Sequence, residues 1–104
     1  MNTEQLYNII QKRILILDGA MGTGLMKAGM SVDECTELWA VEHPEVVVAL
    51  QRQYIEAGAQ ILYAPTFGAN RIKLAEYGLE DQIEVLNQAL VALTKKAIQN
   101  DKIL

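Results

Sequence analysis

A lone carboxylate follows a short apolar run near the start of this sequence. Residues 14–17 read ILIL, Asp18 and Gly19 come next, and Gly22 and Gly24 follow shortly after. In proteins built from parallel strands, ligands bind at the loops that follow the strands. Asp18 in such a loop can hold an ammonium group or accept a proton, and glycines let a ligand approach the backbone closely. The plainer interpretation is a turn in which Asp18 caps the next helix.

A second loop of this kind follows the apolar run at 61–64. It reads PTFGAN over 65–70, where Thr66 supplies a hydroxyl and Phe67 an aromatic wall. If the two apolar runs form parallel strands, their C-terminal ends lie at the same edge of the sheet. We therefore expect both loops on one side of the molecule. Phe67 is equally compatible with a core position, and Asn70 fits the cap of the helix that follows.

Phosphate chemistry fits the first loop poorly. The spacing of Gly19, Gly22 and Gly24 does not follow the G-x-G-x-x-G order of dinucleotide-binding loops. Phosphoryl-transfer enzymes of the haloacid-dehalogenase type carry a second aspartate two residues after the first, and Ala20 occupies that position here. Both classes are therefore disfavoured.

The single cysteine and the single histidine predict no metal site. Cys35 has no nearby His or Cys partner. His43 precedes Pro44 and fits the entrance of a helix. The acidic residues around them have the spacing of a solvated face: Glu34, Glu37 and Glu42.

Composition narrows the class of protein. The 104 residues are 51% hydrophobic and carry a net charge of −4, which suits one small unit but is lean for an independent core. The scattered basic residues predict no nucleic-acid partner, and no apolar run approaches the roughly 20 residues of a membrane span. One cysteine and no signal-peptide pattern predict a reducing, cytoplasmic setting.

Helical patterns separate the apolar runs. The spacing predicts helices opening near residue 3, over 44–57, over 70–78 and over about 80–99, with shorter turns near 25–28 and within 31–44. Strand starts near 14, 60 and 102 give a period of about 40 residues, which predicts an α/β fold of parallel β–α units.

Two strands and the start of a third make no stable sheet. We therefore expect one partial domain over 1–104, truncated at its C-terminal end within the strand that opens at NDKIL. The sheet would be completed either by more of a larger α/β protein or by another copy of this chain.

Three segments in this order resemble the homocysteine S-methyltransferase family: ILDGAMGTGLMKAG, ELWAVEHPEVVVALQRQYIEAGAQIL and PTFGANRIKLAEYGLED. That family includes the N-terminal homocysteine-binding module of cobalamin-dependent methionine synthase and betaine–homocysteine methyltransferase. DGAMGT and TFGANR separated by EHP and AGA form a specific combination, and the match covers nearly the whole chain. The segment KLAEYGLED is most similar to the bacterial methionine-synthase type.

The resemblance implies a fold and a reaction. The family fold is a (β/α)₈ barrel, of which this chain would be the first quarter: a helix, two strand–helix units and the start of a third strand. The family methylates the homocysteine thiol to methionine, with zinc lowering the pKa of that thiol. Family zinc cysteines lie beyond residue 104, so the resemblance implies no metal ligand, no catalytic residue and no activity in this chain alone. Cobalamin and methyltetrahydrofolate would act through other domains, and betaine or S-methylmethionine stay open as methyl donors.

The resemblance also implies a substrate pocket. Its substrate-binding residues would be Asp18, Gly19, Thr66 and Phe67, with Gly22 and Thr23 shaping the first loop. Asp18 would pair with the homocysteine ammonium group and act as an anchor, not as a base. The family often has TNTF where this chain has APTF, so Ala64 and Pro65 remove a hydroxyl and an amide near the pocket.

The expected partners are homocysteine and either the remainder of the barrel or copies of the chain, which would make an isolated chain a homo-oligomer. The competing hypothesis is a short non-enzymatic α/β protein that self-associates and at most binds an amino acid.

Overall fold

The structure, a computed structural model, describes residues 2–99 and is built from helices. In chain order these are α1 (Thr3–Lys12), α2 (Gly22–Lys27), α3 (Thr36–Glu42), α4 (Pro44–Glu56), α5 (Arg71–Ala75), a 3₁₀ turn (Glu80–Gln82) and α6 (Ile83–Ile98). None of these helices is both long and apolar enough to cross a membrane.

The predicted α/β fold of parallel β–α units, and with it the first quarter of a (β/α)₈ barrel, is wrong for residues 2–99. This part of the chain contains no β-strand and no sheet. The two apolar runs lie side by side and form one parallel bridge, between Leu17 and Ile61. The Ile16 carbonyl accepts from the N–H groups of Gln60 (2.7 Å) and Ile61 (3.2 Å), and the Asp18 N–H donates to the Ile61 carbonyl (3.0 Å). The predicted third strand lies outside the described residues.

The two apolar segments do not form regular strands because other parts of the described chain do not cover their faces and edges. A strand that is apolar on both faces needs helices over both faces and neighbours at its edges. Here the side chains of Ile14 and Ile16 are 88% and 57% exposed, and that of Tyr63 is 66% exposed. With one neighbour and one uncovered face, regular pairing stops after a single bridge.

The helix predictions are confirmed, because they depend on local signals. Asn2 caps α1 through a capping box with Gln5: each side-chain oxygen accepts the other residue's backbone N–H, at 2.8 and 2.9 Å. Asn70 caps α5 by accepting the Lys73 N–H at 2.9 Å. The long C-terminal helix is also present, with its first three residues wound as the 3₁₀ turn.

The core lies where α3 and α4 pack against α6. Its buried members include Leu25, Met30, Trp39, Ala40, Val47, Ala69 and Leu90. A smaller cluster joins Cys35, Leu74 and Leu86. By contrast, α1 has no buried residue. Stability of the described part therefore depends on the α3–α4–α6 contact.

A matched pair of valines tests this assignment. Val47 on α4 is fully buried, whereas Val85 on α6 is mostly exposed. We expect Val47→Ala to lower the free energy of unfolding by about 2 kcal/mol, from lost burial and the cavity left behind. Val85→Ala should change it by less than about 0.5 kcal/mol. Urea unfolding of both variants gives the comparison, and equal effects would contradict this core.

Candidate functional site

The Asp18 carboxylate lies against the end of the second extended segment. Both of its oxygens are 3.4 Å from the Tyr63 backbone nitrogen, which donates to them. The parallel bridge brings the two segments together, so the loops that follow them start from adjacent points, as expected from the sequence. Asp18 thus contacts the second extended segment at Tyr63, two residues beyond Ile61 and before the second loop begins.

Partial burial sets the electrostatics of Asp18. Desolvation raises the pKa of its carboxyl above the ordinary value of 3.8, while the backbone N–H groups of Tyr63 and of Asp18 itself oppose the shift less strongly. The ionised carboxylate is therefore incompletely compensated. A ligand cation such as an ammonium group would supply the missing partner.

Helix α4 holds both segments through two side chains that share one face. The Tyr54 hydroxyl donates to the Ala20 carbonyl at 2.7 Å and so anchors the first loop. The Gln51 amide donates from Nε2 to the Tyr63 carbonyl at 3.0 Å and so anchors the second segment. Sequence reasoning missed Gln51, although it lies one helical turn after Val47 and thus on the buried stripe of α4.

Glycine at position 19 is required by the Tyr54 ring. A Cβ atom on Gly19 would lie 2.9 Å from the Tyr54 hydroxyl oxygen and 3.0 Å from its Cε1 atom. Gly22 is the first residue of α2, with open space around its Cβ position, and Thr23 is exposed beside it. Their loop-shaping role stays a prediction.

The second loop exposes its aromatic ring. Phe67 is fully exposed, so it takes no part in the core of the described residues, and Thr66 is half-buried with its carbonyl accepting the Ala69 N–H at 3.0 Å. Gly68 is buried against the Glu37 carboxylate, which occupies the space that a Cβ atom would need. Glu37 is only 9% exposed, so its prediction as part of a solvated face is wrong. The missing side chain of Gly68 makes room for it.

The described residues do not fit a metal ion. Over 2–99 no group of three or more His, Cys, Asp or Glu side chains is placed to hold one. The His43 ring stacks on Trp39 with centroids 3.8 Å apart, and its Nδ1 lies 2.9 Å from the Trp39 carbonyl oxygen. Cys35 is buried at the start of α3.

The parallel bridge sets the starts of the two loops side by side. The hydrogen bonds of Asp18 reach Tyr63, and the site roles of Thr66 and Phe67 stay predictions. Comparison with known proteins gives the family: the sequence model of the homocysteine S-methyltransferases matches residues 15–103. The chain belongs to this family.

Two similar proteins are methionine synthases. Those of Mycobacterium tuberculosis and Mycobacterium leprae are 33% and 32% identical over 97 residues, covering 88% of this chain. The chain spans only 8% of the length of either relative. Among solved structures, the homocysteine methyltransferase MmuM of Escherichia coli is similar in its metallated form, with TM-score 0.75 and 29% identity. The match covers 88% of this chain and 33% of that one.

A double-mutant cycle tests the anchoring of the first loop. We expect Tyr54→Phe to cost about 1 kcal/mol, the usual contribution of one hydrogen bond. Gly19→Ala should cost about 1–2 kcal/mol by crowding the Tyr54 ring. Because both changes disturb the Tyr54–Ala20 hydrogen bond, their combined effect on urea unfolding should be less than the sum. Strict additivity would contradict the contact. Gly22→Ala, in open space, serves as the control and should not destabilise the chain.

The raised pKa of Asp18 predicts a pH-dependent effect of Asp18→Asn. Folding raises the pKa of Asp18, so protonation of its carboxyl stabilises the folded chain. This stabilisation is complete below pH 3.8 and is lost as the pH rises through the raised pKa. Neutral asparagine, which still accepts the Tyr63 N–H, should therefore be more stable than wild type at pH 7. The gap should narrow as the pH falls from the raised pKa towards 3.8 and be closed below 3.8. Urea unfolding at several pH values measures it, with exposed Asp33→Asn as control; a gap independent of pH would be inconsistent with this assignment.

Proposed function

We propose that this chain supplies the homocysteine-binding loops of a zinc-dependent homocysteine S-methyltransferase of the methionine-synthase type. The reaction transfers a methyl group to the homocysteine thiol and gives methionine. Family membership and the methionine synthase relatives support the reaction class. The single observation that carries the site is the partly buried Asp18 carboxylate beside Tyr63, in the segment that leads into the second loop.

The chemistry of Asp18 suits an anchor. A positively charged ammonium group forms charge-assisted hydrogen bonds with a carboxylate, and here it would offset the desolvation that raises the pKa of Asp18. Gly19, beside which the Tyr54 ring packs, would contribute its backbone to the pocket. Thr66 and the exposed ring of Phe67 would line the same pocket, with the ring covering the apolar part of the ligand.

Zinc ligands and the methyl donor belong, in this proposal, to polypeptide outside this chain. The described residues offer no metal cluster, and the chain covers 33% of the similar homocysteine methyltransferase structure. We therefore propose that 1–104 acts as part of a larger cytoplasmic domain and transfers no methyl group alone. Cobalamin and methyltetrahydrofolate would bind to other domains.

A second candidate is a non-enzymatic protein that self-associates and binds an amino acid. The observation in its favour is the exposure of Ile14, Ile16 and Phe67, which are apolar side chains that association would cover. Both candidates share the Asp18 site. Neither candidate forms methionine as the isolated chain, so the chain is co-expressed with the remainder of a homocysteine methyltransferase domain and assayed for methionine formation. Only the first candidate predicts methionine from the combination.

Calorimetric titration with L-homocysteine tests the anchor. We expect Asp18→Asn to weaken binding about 10- to 150-fold, since hydrogen bonds to charged groups contribute about 1.5–3 kcal/mol. Binding of 4-sulfanylbutanoate, which lacks the ammonium group, should be weak and unaffected by the change. Asp33→Asn is the charge-matched control. Equal homocysteine affinity in wild type and Asp18→Asn would refute the proposal.

A further inference from the structure

The burial of the polar Gln51 side chain is energetically unfavourable. The residue lies within α4 with 0% exposure. Burying an amide is unfavourable unless its hydrogen bonds are made. Its Nε2 donates to the Tyr63 carbonyl, but its Oε1 is buried and has no hydrogen-bond partner within residues 2–99. An apolar side chain of the same length would avoid that cost, so packing alone does not account for glutamine here.

The position of Tyr63 explains the role of the Gln51 amide. Tyr63 lies past the point where main-chain bonds join the two extended segments, and its side chain is 66% exposed. Gln51 holds its carbonyl at 3.0 Å, and its N–H faces both oxygens of Asp18 at 3.4 Å. One residue thus connects the buried face of α4 to the candidate site.

From this connection we infer that Gln51 is a positioning residue for Asp18. By fixing the Tyr63 carbonyl, it keeps the Tyr63 N–H against the carboxylate, which in turn stays aimed at the ammonium group of an amino-acid ligand. The inference deepens the proposed function and rests on Asp18 as the ligand anchor. Gln51 itself does not contact the ligand.

Without the amide, the hydrogen bond to Asp18 weakens. The distances from the Tyr63 nitrogen to the two Asp18 oxygens are already long at 3.4 Å. A small further displacement would weaken these hydrogen bonds strongly, because they depend steeply on geometry. The carboxylate then gains rotational freedom, and an ammonium group must order it on binding. The Tyr63 N–H is also one of the two backbone groups that lower the pKa of Asp18, so its loss raises that pKa further.

Gln51→Met in the full chain is the first test, since it keeps the side-chain length and removes the donor together with the unpartnered oxygen. We expect the free energy of unfolding to stay the same or rise. L-Homocysteine affinity should fall about tenfold, as for a weakened charge-assisted hydrogen bond, while binding of 4-sulfanylbutanoate does not change. The Asp18 carboxyl, followed by carbon-detected NMR, should titrate at higher pH than in wild type.

Thr94→Val is the matched control. Thr94 is also buried and its hydroxyl also lacks a hydrogen-bond partner in the described part of the chain, but it lies on α6 and takes no part in the hydrogen bonds that join Gln51, Tyr63 and Asp18. This change should move neither the Asp18 titration nor the affinity. If it moves both as much as Gln51→Met does, the effect is general to the core and the inference is wrong.

A second variant acts on the same connection without touching the core. Tyr63→Pro removes the N–H that faces Asp18, and Tyr63→Ala measures the side-chain contribution, so their difference gives the effect of the donor. We expect that difference to match Gln51→Met in the direction of the Asp18 titration and in affinity. If Asp18→Asn weakens homocysteine binding but neither donor removal changes affinity or titration, positioning by Gln51 is refuted. If Asp18→Asn has no effect on binding, the proposed function fails instead, and the titration alone decides the Gln51–Asp18 connection.

Discussion

The arrangement of the site depends on one parallel bridge between two exposed segments. Main-chain bonds around Leu17 and Ile61 set the two loops side by side. A pairing this short contributes little, since each net hydrogen bond adds about 0.5–1.5 kcal/mol and water competes for it. The segments therefore need support from elsewhere, and α4 supplies it. Tyr54 fixes the first loop and Gln51 fixes the second from one face of a helix buried against α6.

Close contacts between loops and helices make that support rigid. The Tyr54 ring lies over Gly19, and the Glu37 carboxylate lies against Gly68, so each loop carries a glycine where a helix side chain approaches. A larger residue in either loop would have to displace the Tyr54 or Glu37 side chain. The two helices also differ in role: α4 holds the segments by hydrogen bonds, whereas α3 contacts the second loop through a buried acid.

Local features could be predicted from the sequence, and long-range ones could not. The cap at Asn70 and the long C-terminal helix follow from residues within one or two turns, and both predictions are confirmed. The apolar runs were read as strands because of their composition, but strand formation needs neighbours that local sequence does not reveal. The sequence wrongly predicts an exposed Glu37 and gives Gln51 no role, because the burial of both side chains depends on distant segments. The site roles of Thr66 and Phe67 stay predictions.

The exposed face of the extended segments bears directly on the chemistry of Asp18. Its carboxyl is only partly buried, and the side chains of Ile14 and Ile16, four and two residues before it in the extended segment, are exposed. Any protein surface that covered these side chains would also exclude water from Asp18. Desolvation is already the largest cause of its raised pKa, so further cover would make the unpaired carboxylate less favourable still. An ammonium ligand would then gain more from pairing with it, and covering the apolar face and binding the ligand would reinforce each other.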